Sequence, residues 1–110
     1  MEIYQFACLS DNYGYLLHDA ATNATACVDT PDFEAIDKAL SDKGWTLTHI
    51  LNTHHHPDHV GANLALKKKY RCIIVGPRAE SDRIPGIDVA VSEGDVVQVG
   101  DSCGVVYDTP

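Results

Sequence analysis

A chain of 110 residues has room for one domain with a modest core. Its 8 basic and 16 acidic residues leave a net charge of −8, a poor match for phosphate backbones or anionic lipid, so neither nucleic acid nor a membrane is an expected partner. No run approaches the ~20 apolar residues that span a bilayer. Met1-Glu2-Ile3-Tyr4 lacks a basic segment followed by a long apolar one, so no secretory signal is visible and a cytoplasmic location is expected.

The first third reads as an antiparallel meander. Ile3–Leu9 is apolar-rich, Ser10-Asp11-Asn12 is a turn cluster, and Tyr13–His18 and Ala24–Val28 are the next strands. A helix follows, with Thr30 able to cap it and Pro31 suited to its first position. Asp32 and Glu34 favour the positive end of its dipole. Phe33, Ile36 and Leu40, widened by Ala39, form one apolar stripe, and Gly44 stops the helix. Leu47–Asn52 is a strand, and Gly61–Tyr70 a second helix in which Val60 and Leu64 share a face, as do Leu66 and Tyr70. Lys67, Lys68 and Lys69 then form a solvated last turn. Cys72–Val75 is a buried-type strand ended by Gly76-Pro77, and Ala79–Pro85 is irregular or one short turn. Asp88–Val91, Val96–Val99 and Cys103–Tyr107 are three more short strands. Antiparallel strands flank a middle in which helices and strands alternate, so the fold class is mixed α/β.

Cys8, Cys27, Cys72 and Cys103 are widely spaced, with no Cys-x-x-Cys pair, and are expected to be buried free thiols. His18 is expected at the surface of a strand end, and His49 in or beside a strand with its ring satisfied locally.

The chemistry is concentrated in Thr53-His54-His55-His56-Pro57-Asp58-His59, which follows a strand. In an extended segment His54, His56 and Asp58 project to one side. Pro57 disfavours helix at His56. The spacing His-x-His-x-Asp-His on a strand-to-helix loop is not the helical His-Glu-x-x-His of zinc proteases. Neutral imidazoles with a carboxylate suit Zn(II), Fe(II) and similar ions. Such a dense set serves two neighbouring ions better than one, and metal pairs serve hydrolysis. The expected roles are His54 and His56 on the first metal and Asp58 and His59 on the second, with His55 pointing away. Asp29, beside the first helix start, is expected to hold that loop or to support the metal site from outside rather than to ligate. Asn12 reads as a turn residue, and Tyr13 as a packed strand opener.

Thr-His-x-His-x-Asp-His resembles the signature of the metallo-β-lactamase fold. Its flanks narrow the resemblance: Leu9–Leu16, Val28-Asp29 and Ile50–Asn63 resemble glyoxalase II (hydroxyacylglutathione hydrolase), and Glu93-Gly94-Asp95, Gly100 and Tyr107–Pro110 also line up with it. The resemblance implies an αββα sandwich and a binuclear metal thioesterase of methylglyoxal detoxification. That activity converts S-D-lactoylglutathione and water to D-lactate and glutathione, with a metal-bound hydroxide as nucleophile. It also implies two divalent ions, zinc foremost, with iron or manganese also found in the family. His54, His56, Asp58 and His59 carry the family's ligand roles.

In that family a Gly-His-Thr-x-Gly-His segment follows, then a bridging aspartate, a last histidine and a helical glutathione-binding domain. None of these occurs here, so residues 1–110 read as the N-terminal portion of the metallo-β-lactamase domain, with two ligands for each metal. The expectations are weak metal binding, no turnover by this chain alone, and self-association through an exposed sheet. Other readings are a one-iron glutathione persulfide dioxygenase, a lactonase or a β-lactamase of the same fold, or a non-catalytic metal-binding half-fold. The acidic charge disfavours the RNA-processing nucleases that share the motif.

Overall fold

The computed structural model describes residues 2–8, 12–53 and 60–106. Short apolar-rich runs build its first sheet. Strand β1 (Glu2–Cys8) pairs antiparallel with β2 (Asn12–Asp19), and β2 with β3 (Ala24–Val28), as the meander predicts. Parallel strands β4 (His49–Leu51), β5 (Ile73–Pro77) and β6 (Val89–Val91) extend it to the order β1-β2-β3-β4-β5-β6. Helix α1 (Phe33–Lys43) crosses from β3 to β4, and α2 (Asn63–Tyr70) runs from β4 toward β5. A 3-10 turn over Arg78–Arg83 leads toward β6. Strands β7 (Val96–Val99) and β8 (Ser102–Val105) form a separate antiparallel hairpin.

Register divides the side chains between two faces. Tyr4, Leu16, Cys27, Ile50 and Ile74 lie in one row across the strands. With Ile36, Ala39 and Leu40 of α1 and Leu66 of α2, the buried members of this row form the main core. The next row, Ile3, Leu17, Ala26, His49 and Ile73, faces the other way. The β7–β8 hairpin covers the middle of that second face, where Val99 packs against Ala24 and Ala26. Toward β6, an apolar groove of about 180 Å³ lies between His49, Val75 and Val91 on the sheet and Val97 on the hairpin. Ile3, Tyr13, Tyr15, Ile73 and Val89 remain exposed. Tyr13 therefore does not pack as expected, because β2 turns it toward this open face. Asn12 is a strand residue rather than a turn residue, paired with Cys8 at the end of the β1–β2 ladder.

Side-chain chemistry moves several local features from their expected places. Asp32, not Thr30, caps α1, its carboxylate accepting from the amides of Glu34 (3.1 Å) and Ala35 (3.4 Å). Thr30 is engaged elsewhere. Gly44 ends α1 at φ 70°, and the amide of Trp45 reaches back to the carbonyl of Leu40 at 3.0 Å. Helix α2 begins two residues later than expected and has no side-chain cap at Ala62. Leu64 points to solvent rather than sharing the buried face of Val60. His18 is buried, not at the surface: its Nδ1 meets Thr25 Oγ1 at 2.8 Å and its ring stacks on Trp45 at 4.3 Å. His49 lies in β4 with Nδ1 2.7 Å from Thr48 Oγ1, as expected, and burial lowers its pKa. Cys27 and Cys72 are buried free thiols, whereas Cys103 is exposed on the hairpin; the Cys8 side chain lies outside the description. Burial pushes the Cys72 thiol pKa up. Leu9, Ser10, Asp11 and Tyr107 lie outside the described residues.

Carboxylates tie the layers together. Lys69 Nζ and Tyr70 Oη donate to Asp37, joining α2 to α1. Lys67 Nζ donates to Asp88 Oδ1 (2.7 Å) and to the carbonyl of Gly86 (2.8 Å), so the lysine run is only partly a solvated helix end. Asp19 accepts from the Asp101 amide at 2.6 Å and pins the hairpin turn. Gly100 beside it has φ +60°, and a Cβ there would run into Thr22 and Asp19.

These bonds lower the pKa of all three carboxylates from the ordinary 3.8: the Lys69 bond foremost at Asp37, the Lys67 bond at Asp88 and the Asp101 amide at Asp19. A lowered folded-state pKa stabilises the protein above the unfolded value. That contribution is lost as pH falls through the folded value. The urea midpoint is therefore expected to drop progressively below about pH 4. Asp37→Asn is expected to make that decline shallower. An identical acid decline in Asp37→Asn would contradict the assignment of part of it to Asp37.

Candidate metal centre

The parallel strands β3 and β4 end side by side, and the chain leaves each of them at the same edge of the sheet. In open α/β sheets the crevice outside the carboxyl ends of the strands is where ligands bind. Residues 29–32 leave β3 there, and Asn52 and Thr53 leave β4. His54, His55, His56, Asp58 and His59 come next in the chain and lie outside the described residues. Among the described residues no group of three or more His, Cys, Asp or Glu side chains could hold a metal ion. The donors expected from the sequence, His54, His56, Asp58 and His59, lie in the undescribed stretch between Thr53 and Val60.

The described residues show how the two ends of that segment are held. At its entry the Asp29 amide donates to the Leu51 carbonyl at 2.9 Å. Its Oδ1 accepts from the Thr53 amide at 2.7 Å and from Asn52 Nδ2 at 3.5 Å, and its Oδ2 from Thr53 Oγ1 at 2.7 Å. The carboxylate thus grips the residue immediately before His54 by backbone and side chain together. Asp29 adopts φ 58°, a left-handed backbone that aspartate tolerates better than most residues and that turns its carboxylate back across β4. The Asn52 amide donates to the Val75 carbonyl at 2.8 Å, which ties the same point to β5.

At the exit the Ala62 amide donates to the Thr30 carbonyl at 2.9 Å. Asn63, fully buried at the start of α2, accepts from Thr30 Oγ1 at 2.5 Å. Its Nδ2 donates to Asn52 Oδ1 at 2.6 Å and to the Pro85 carbonyl at 3.1 Å. Sequence reasoning missed Asn52 and Asn63 and gave Thr30 the role of a cap. All three act through bonds between distant positions, for which local sequence carries no signal.

The fold and the strand-end position of the histidine segment define a class. Residues 22–108 match the metallo-beta-lactamase superfamily, and the chain belongs to it. Within that class, 109 of its residues are 55% identical to a hydroxyacylglutathione hydrolase of Rhodopseudomonas palustris strain BisA53; they make up 99% of this chain and 43% of that protein. The chain thus spans less than half the length of the curated relatives it matches. Among solved structures, ETHE1 from Myxococcus xanthus superposes with a TM-score of 0.74 at 32% identity, over 94% of this chain and 46% of that one. BJP-1, a subclass B3 metallo-beta-lactamase of Bradyrhizobium japonicum, superposes with a TM-score of 0.78 over 89% of this chain and 46% of its own, with the fold shared at 23% identity.

Proposed function

We propose that residues 1–110 are the N-terminal part of a glyoxalase II-type thioester hydrolase, acting on S-D-lactoylglutathione in the cytoplasm. The observation that carries this reading is the 55% identity to a hydroxyacylglutathione hydrolase over almost the whole chain. His54 and His56 hold one divalent ion and Asp58 and His59 the second, zinc before iron or manganese. The donor set fits: imidazoles and one carboxylate match the preferences of such ions. When bound, the metal pair supplies an activated water and polarises the thioester carbonyl. The chain's own contribution is to aim the ligands. Asp29 fixes Thr53, so the ligand segment starts from a defined point and direction at the end of β4. A catalytic zinc keeps three protein ligands and an open position. With two ligands per metal from residues 54–59, each ion needs further donors, and this chain spans 43% of the length of the Rhodopseudomonas relative.

The test is a chimera in which the C-terminal part of the Rhodopseudomonas relative is joined after Pro110. It is expected to hydrolyse S-D-lactoylglutathione with two bound metals, and to lose turnover on His54→Ala. The 110-residue chain alone is expected to show no turnover. A folded chimera that holds a single iron and oxidises glutathione persulfide would replace the hydrolase reading with the dioxygenase one. Turnover by the 110-residue chain would overturn the division of ligands.

A further inference from the structure

We propose that Thr30, Asn52 and Asn63 form a buried latch that positions the metal-ligand segment by closing its two ends on each other. The proposal rests on the reading of residues 54–59 as metal ligands. Asn52 and Asn63 stand eleven positions apart, one before the segment and one after it, and their side chains meet directly at 2.6 Å. Thr30 grips the exit twice, with its carbonyl on the Ala62 amide and its hydroxyl on Asn63 Oδ1. The Pro85 carbonyl, from the connection between β5 and β6, takes the second Asn63 donor. Three separate stretches of chain therefore converge on the one side-chain amide of Asn63.

Burial makes this arrangement directional. Thr30 and Asn63 are fully buried and Asn52 is 7% exposed. A buried amide or hydroxyl is costly unless its hydrogen bonds are made, and made bonds hold only within a narrow range of distance and angle. An apolar trio could fill the same space without fixing orientation. Ala62 at the cap position gives α2 no side-chain cap, and the side chain of Asn63, one residue on, bonds to Thr30 and Asn52. Asp29 sets where the segment begins; the latch sets where it must return. Holding both ends removes closure entropy that metal binding would otherwise have to overcome.

The experiment uses the 110-residue chain with cobalt(II) alone as the probe. Thr30→Val keeps the shape of the side chain and removes the hydroxyl donor, while Thr30→Ser restores it. In the metal-free chain, Thr30→Val is expected to raise amide hydrogen exchange across residues 53–62 about tenfold, while β4 and β5 amides keep their protection. Cobalt affinity is expected to fall about tenfold, at the lower end of what loss of an outer support costs. Thr30→Ser should recover both. Asn63→Asp, which removes the donor to Asn52, should reproduce the exchange result; if it does not fold, the Thr30 pair decides. Unchanged exchange in Thr30→Val would overturn the latch. So would a uniform rise through β3, β4 and β5, which would mean that the trio serves the whole fold. If the unsubstituted chain, with two ligands per metal, binds cobalt too weakly to titrate, the exchange comparison alone decides the latch.

Discussion

Asp58→Ala is expected to weaken zinc binding by the 110-residue chain more than about a hundredfold, beyond the ten- to hundredfold that loss of an outer partner costs. The reasoning is electrostatic as well as geometric. Asp58 is the one carboxylate among the four proposed ligands, so its removal takes away a donor and the only ligand charge opposing the second metal ion. His59 alone would then remain for that ion. Isothermal titration with zinc, run beside His55→Ala, is the measurement. His55 is assigned no ligand role, and its replacement should leave the affinity within about threefold, a small fraction of the loss expected even for an outer partner. Equal losses in the two variants would contradict the assignment of ligands along the segment.

Ile50→Ala is expected to destabilise the chain by about 2–5 kcal/mol. Ile50 is fully buried in the middle of β4, in register with Cys27 on one side and Ile74 on the other. Helix α1 covers the same core, so neighbouring atoms can close over the cavity only in part. Against a typical domain stability of about 5–15 kcal/mol this is a large share. The midpoint of thermal unfolding should fall by roughly 10–20 °C. Urea denaturation provides the free energy directly. A loss below about 1 kcal/mol would show that the strand repacks. Because β4 delivers Thr53 to Asp29, the same substitution acts on the stability of the element from which the proposed ligand segment starts.

The chain order of elements was legible because it depends on local patterns. The apolar-rich Ile3–Leu9 and the run Tyr13–His18, parted by a turn cluster, read directly as paired strands, and the Ile36, Ala39 and Leu40 stripe reads as the buried face of a helix. The histidine segment stands out for a different reason: His54, His56, Asp58 and His59 at strand-to-loop spacing are the donors on which the metal proposal rests. Features that depend on competition between partners were not legible. Thr30 looks like a cap in isolation, yet Asn63 claims its hydroxyl and Asp32 takes over the cap. Tyr13 looks like a packing residue, yet its strand turns it outward. His18 looks like a surface residue at a strand end, yet Trp45, from beyond α1, lies flat against it.

The sequence by itself determined the order of strands and helices and supplied the donor set on which the metal proposal rests. Both are properties of neighbours along the chain: side-chain period in one case, donor type and spacing in the other. Only the tertiary structure decided what holds that segment. Asp29 meets Thr53 across 24 positions, Asn63 meets Asn52 across 11 and Thr30 meets Asn63 across 33. Those meetings arise because parallel pairing of β3, β4 and β5 brings the ends of separate strands to one edge. No local pattern encodes that convergence, since each residue is an ordinary turn or helix-end residue until its partner arrives.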